Sequence, residues 1–177
     1  MSQKILIVAG GYSKEREISL KTAKSVFKEL KSSSKFKLMI TEPDGNFVKL
    51  LHTFKPNVVF NALHGQYGED GYLQSVIEKE GFRYTHSGVL ASSIAIDKEI
   101  SKKIFIKNKI LTPKYFKYQF SKNITKKKLK TKIQKKLKFP VVIKPINEGS
   151  SVNVFICNQK NFFKVILKLK QYEELMI

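Results

Sequence analysis

The sequence predicts an α/β fold: an open parallel sheet with helices in the first half, followed by a smaller α+β unit. Three observations carry this. Short apolar runs of strand length alternate with segments of helical periodicity up to Gly81. Two of those runs end in glycine-bearing segments, Gly10-Gly11 and His64-Gly65, as strands do where an open parallel sheet meets a ligand. The character of the chain then changes near Asp97, where lysine becomes dominant. We place the domain boundary there, giving units 1–97 and 98–177.

The first run, Lys4 to Ala9, reads as a buried strand turning at Gly10-Gly11. Leu20, Ala23, Phe27 and Leu30 follow at spacings of three, four and three, on one face of a helix that ends in the polar stretch Lys31 to Lys35. Phe36 to Thr41 is a second strand, Pro43-Asp44-Gly45 a turn, Phe47 to Phe54 a short helix and Asn57 to Leu63 a third strand. Asp70 to Glu80 reads as a helix, with Gly81 in the left-handed position past its end. In the second half we expect helices at 98–109, 125–137 and 161–170. Strands are expected at 114–118, 139–144, 152–157 and 173–177. The strands 139–144 and 152–157 form a hairpin around a long polar loop.

The net charge of +20 would suit nucleic acid, whose phosphates lysines neutralise. The charge is unevenly spread, however: +3 over residues 1–97 and +17 over 98–177. The excess is nearly all lysine and comes with abundant Ile, Asn and Phe, the bias of an AT-rich coding sequence filling exposed positions. Nucleic acid is therefore not the expected partner, although a basic field that draws in an anion such as ATP remains open. The longest apolar runs fall far below the ~20 residues that cross a bilayer, so no membrane partner is expected and the chain reads as cytoplasmic. Cys157 stands alone, with no disulfide partner and no His/Cys cluster, and reads as a plain strand residue.

Several segments carry candidate chemistry. Asn147 to Ser151 combines a glycine, two hydroxyls and a preceding strand lysine, Lys144; freed backbone N–H groups and hydroxyls can wrap a phosphate. Lys144 lies between Val142-Ile143 and Pro145, and a lysine buried in so apolar a strand would require an anion. His64 opens a loop with three glycines and two carboxylates, Glu69 and Asp70, which could instead cap the next helix. Glu15 and Glu17 around Arg16 could equally be an ordinary charged helix start.

Taken together, these segments resemble the successive signatures of D-alanine:D-alanine ligases of the ATP-grasp class. They are Gly10-Gly11 through Glu15-Arg16-Glu17-Ile18-Ser19-Leu20, His64-Gly65 through Gly68-Glu69-Asp70-Gly71, Ser87-Gly88-Val89 with Asp97-Lys98, and Phe139-Pro140 through Lys144-Pro145 to Glu148-Gly149-Ser150-Ser151. The resemblance implies a substrate-binding (pre-ATP-grasp) domain over 1–97 and part of an ATP-grasp small subdomain over 98–177. It implies ATP-dependent ligation of two D-alanines through an acyl phosphate, for peptidoglycan synthesis, cell wall biogenesis and cell shape. The implied ligands are D-alanine, ATP and Mg2+ or Mn2+, and a homodimer is compatible with it.

By motif match, Lys98 and Lys144 bind the ATP phosphates, with Glu148 and Gly149 in the same nucleotide segment, and Ser150 and Ser151 close over the γ-phosphate. Glu15 holds the ammonium of the first D-alanine, and His64 donates a hydrogen bond near the acyl phosphate. The chain departs from the pattern at His86 and Asn153, where the family usually has glycine. The resemblance also implies that the acidic magnesium ligands, the adenine hinge and an arginine facing the phosphate lie in a part of the family's length that this chain lacks. The chain alone is accordingly expected to be inactive. Two other readings remain: another ATP-grasp carboxylate–amine ligase, which would not need the Glu15 and His64 segments, and a non-catalytic basic nucleic-acid-binding module.

Overall fold

In the computed structural model, which describes residues 2–120, 124–149 and 151–177, strand β1 (Gln3–Val8) lies between β2 (Phe36–Thr41) and β3 (Val58–Asn61), parallel to both. Its run of buried residues reflects cover on both faces. Ile5, Ile7 and Ala9 point to α1 (Arg16–Lys31), where they meet Ala23 with Leu20, Phe27 and Leu30. Leu6 and Val8 point the other way, to Phe47, Leu51 and Phe54 of α2 (Phe47–Phe54) and to Leu73 and Ile77 of α3 (Tyr72–Lys79). Period-2 alternation in a strand thus feeds two separate cores, and each large side chain withdrawn from water contributes roughly 1.5–3 kcal/mol. Gly81, at φ +77°, terminates the α3 turn as expected.

The chain divides into two compact units, Met1–Ile94 and Ala95–Ile177. The division falls within α4 (Val89–Ile96), a helix the sequence did not signal. Its residues are mostly apolar all round, so no stripe stands out, and the one residue it buries is Ser92.

The second unit is α+β. After α5 (Lys98–Lys107), an antiparallel sheet of β4 (Lys117–Gln119), β5 (Val141–Pro145), β6 (Phe155–Cys157) and β7 (Glu174–Met176) forms in the order β4-β7-β5-β6. Helices α6 (Lys126–Lys136) and α7 (Phe162–Lys168) supply Leu129, Ile133, Phe162 and Ile166 to a core with Tyr118, Val141, Ile143, Cys157 and Leu175. Thr125 caps α6, its hydroxyl accepting from the Lys128 N–H at 3.4 Å. Cys157 is a buried strand residue.

Three expectations need correcting. The strand expected from Lys114 begins at Lys117, because the Lys102 ammonium holds the preceding segment by bonds to Thr112 Oγ1 (2.6 Å) and the Pro113 carbonyl (2.8 Å). The strand expected from Val152 begins at Phe155, because Ser151 and Asn153 take left-handed φ values of +62° and +56°. Lys144 is not buried within an apolar strand: Val141 and Ile143 face the core, so Val142 and Lys144 face outward and Lys144 is only half-buried.

Candidate active site

In the first unit, the candidate residues meet where β1 and β3 end. Ser13 is the pivot. Its hydroxyl donates to the His64 carbonyl (2.7 Å) and accepts from the Glu15 N–H (3.1 Å), tying the segment after β1 to the segment after β3. Ser19 accepts from the Gly10 N–H (2.8 Å), fixing the first turn of α1 beneath them.

Glu15 is 5% exposed. It precedes α1, yet its carboxylate makes no cap hydrogen bond. Oε1 lies 3.1 Å from where a Cβ on Gly65 would stand, and Gly65 is at φ +69°, so glycine is needed here on both counts. Oε2 is buried with no hydrogen-bond partner among the described residues. A buried carboxylate oxygen without a donor is costly, and a cation or ammonium group is what relieves it.

His64 is held by Thr22, whose Oγ1 is 3.0 Å from Nε2, and its Nδ1 is 3.7 Å from Glu69 Oε1. The expected capping by the acidic pair is half right. Asp70 accepts from the Tyr67 and Tyr72 N–H groups at 2.8 and 3.0 Å, whereas Glu69 turns to His64. The loop that carries His64 is pinned by buried Asn61, which donates to the Gly68 carbonyl (2.7 Å) and accepts from the Leu63 N–H (3.0 Å). A cavity of about 500 Å³ opens beside it, lined by Gly10, Gly11, Leu63, His64, Tyr67 and Tyr72.

In the second unit the phosphate candidates converge on the segment after β5. Asp97 caps α5 by accepting from the Glu99 and Ile100 N–H groups at 2.8 and 2.9 Å. This places Lys98 at the helix start, where its ammonium donates to the carbonyls of Ile146 (2.9 Å) and Glu148. Burial, and after it the charge of Lys144, hold the Lys98 ammonium below the ordinary lysine range; the same two causes act on Lys102. Two neighbouring cations, one of them depressed by the other, form a site that an anion would stabilise. Lys144 lines a cavity of about 380 Å³ with Lys102, Lys114, Tyr115 and Lys138. Gly149 is partly buried, Ser151 lies exposed in a turn, and Ser150 lies outside the described residues.

Glu15 and His64 are therefore brought together in the first unit, and Lys98, Lys144, Glu148 and Gly149 in the second. Sequence reasoning missed Ser13, Thr22 and Glu42. The last accepts from Arg16 Nη2 at 2.5 Å and from the Gly11 N–H at 3.4 Å. Among the described residues no three His, Cys, Asp or Glu side chains gather as a metal site, and no helix is long and apolar enough to cross a membrane.

Residues 105–177 match the family model described as the D-ala D-ala ligase C-terminus. A D-alanine:D-alanine ligase of Pelagibacter ubique is 60% identical over all 177 residues, which cover 57% of that protein. One from Wolbachia pipientis wMel is 47% identical over 152 residues, covering 86% of this chain and 46% of the relative. A crystal structure of the Bacillus anthracis D-alanine:D-alanine ligase superposes with a TM-score of 0.82 at 30% identity, covering 99% of this chain and 56% of that one. The ATP complex from the same organism gives 0.80 at 26% identity, covering 99% and 57%. The chain spans about half the length of the curated relatives it matches, and by sequence and fold it belongs to the D-alanine:D-alanine ligase family.

Proposed function

We propose that this chain supplies the first amino-acid site and the phosphate-gripping segment of an ATP-dependent ligase that joins two D-alanines for peptidoglycan synthesis. The observation that carries the reading is Glu15: a buried carboxylate with one oxygen lacking a donor among the described residues, at the carboxyl end of the central parallel strand. An ammonium group satisfies that oxygen. Another ATP-grasp ligase would share Lys98 and Lys144 but would have no use for a buried carboxylate held against Gly65.

A carboxylate is a poor electrophile until one of its oxygens becomes a good leaving group. In the proposed reaction the terminal phosphoryl group of ATP passes to the carboxylate of the first D-alanine, giving an acyl phosphate and ADP. The amine of the second D-alanine then attacks the acyl carbon, phosphate departs, and the amine gives up a proton as the peptide bond forms. Lys98 and Lys144 would take the phosphate charge, Ser150 and Ser151 with Glu148 and Gly149 would surround it, and His64 would donate a hydrogen bond as charge develops. The relatives' chemistry suggests Mg2+ as well, but the described residues do not gather ligands for it, and none of these steps is assigned to a metal.

The test uses a chimaera in which residues 1–177 are followed by the remaining part of the Pelagibacter ubique relative. ADP release should require D-alanine and yield D-alanyl-D-alanine. ADP release that ignores D-alanine, or prefers another amino acid, would overturn the reading.

A further inference from the structure

The segment that joins β5 to β6 contains two non-glycine residues at left-handed φ, Ser151 (+62°) and Asn153 (+56°), close together in one tight turn. Each such residue costs roughly 1–2 kcal/mol of backbone free energy, less for Asn, and persists only where its surroundings hold it. The turn's own bonds, Val152 N–H to the Gly149 carbonyl (2.9 Å) and Val154 N–H to the Ser151 carbonyl (3.3 Å), are short-range and do not join it to the rest of the unit.

A relay through one hydroxyl ties it to the rest of the unit. The Asn153 side-chain amide donates to Tyr172 Oη at 2.6 Å, and the Tyr172 hydroxyl donates to Glu148 Oε1 at 2.8 Å. Tyr172 sits on the connection from α7 to β7, its N–H bonded to the Leu169 carbonyl (3.0 Å), and Leu169 is fully buried in the unit's core. The relay therefore joins both arms of the turn, Glu148 before it and Asn153 after it, to a rigid part of the unit. The Glu148 carbonyl is meanwhile held by Lys98.

We propose that Asn153 and Tyr172 are positioning residues: their relay to Glu148 latches the segment between β5 and β6 in the shape that receives the ATP phosphates. The latch itself stands on the geometry; its role toward ATP rests on the ligase reading above. Asn at 153 serves two ends, tolerating left-handed φ and supplying the amide donor.

Amide exchange at Val152 and Val154 in the 177-residue chain reads the latch directly. Asn153→Gly removes the donor while accepting φ +56° without strain, and the relief of left-handed strain offsets part of glycine's added backbone freedom. Protection should fall about five- to tenfold, the scale of one net hydrogen bond. Tyr172→Phe removes both links and should do at least as much, and the double variant should match Tyr172→Phe alone. Unchanged exchange, or single effects that simply add, would overturn the latch.

In the chimaera, both variants should raise KM for ATP several-fold with kcat changed less than twofold. A kcat loss with KM unmoved would overturn the positioning role. If the unsubstituted chimaera were inactive while the exchange results held, the ligase reading would fall and the latch would stand.

Discussion

Replacing Glu15 by Gln should stabilise the first unit even as it removes the proposed ammonium contact. The carboxylate is 5% exposed, and its Oε2 has no donor among the described residues. Leaving a buried acceptor unsatisfied costs about 1–3 kcal/mol, more when it is charged, and a neutral amide of the same shape lowers that cost. Against this, a negative charge at the start of α1 is worth roughly 0.3–1 kcal/mol with the helix dipole, and Gln forfeits it. The net gain is about 0.5–2 kcal/mol, or roughly a two- to thirtyfold shift in the opening equilibrium at 1.4 kcal/mol per decade. Amide exchange at Leu6, Ile7 and Val8, in the central strand of the first unit, follows opening of that strand. Exchange should slow by that factor in Glu15→Gln. Exchange that is unchanged or faster would mean that the carboxylate is already satisfied, and the case for an ammonium partner would be lost.

Because the charge of Lys144 is the second cause of the lowered Lys98 pKa, Lys144→Met should move the Lys98 titration upward, measurable by NMR of the lysine side chains. Anion binding needs the protonated ammonium, so ATP affinity should weaken as pH rises through the lowered Lys98 value, earlier than an ordinary lysine would dictate. His86 sits at φ +94°, so His86→Gly should be more stable than His86→Ala by about 1 kcal/mol in denaturant melts, since only Ala retains the Cβ strain. Glu99 has its carboxyl lowered by hydrogen bonds to Lys117 and Lys103, and Glu174 by Gln119 and Lys117. Depressed folded values mean stability that is present above the ordinary carboxylate range and lost as pH falls through the lowered ones. Acid melts of the second unit should show that loss, and Lys117→Met should shrink it.

The strands and helices of the first unit were legible because their periodicities are clean: the Leu20, Ala23, Phe27, Leu30 stripe packs on β1 as spaced. Helix α4 was not, since an octapeptide that is apolar on nearly every side offers no stripe to read. The start of β4 was displaced by a lysine reaching across ten residues to Thr112, which no local pattern reveals. The outward face of Lys144 could have been read from the alternation of Val141 and Ile143, a signal that was present and outweighed by composition. Ser13, Thr22 and Glu42 act on partners 51, 42 and 26 positions away, through strand ends that only folding brings together. Left-handed φ at His86 and Asn153 matches the two places where the resemblance expected glycine.

The central claim is a division of labour, with Glu15 reading the amino acid and the Lys98–Lys144 pair reading the phosphates. Steady-state kinetics of the chimaera carrying Glu15→Gln or Lys144→Met test it most directly, with D-alanine and ATP varied in turn. The account predicts that Glu15→Gln raises KM for the first D-alanine tenfold or more, as loss of a charge-assisted hydrogen bond does, and leaves KM for ATP within twofold. Lys144→Met should do the reverse. If each variant degraded both constants equally, or if Lys144→Met left the ATP constants untouched, the assignment of these residues to two separate sites would be contradicted.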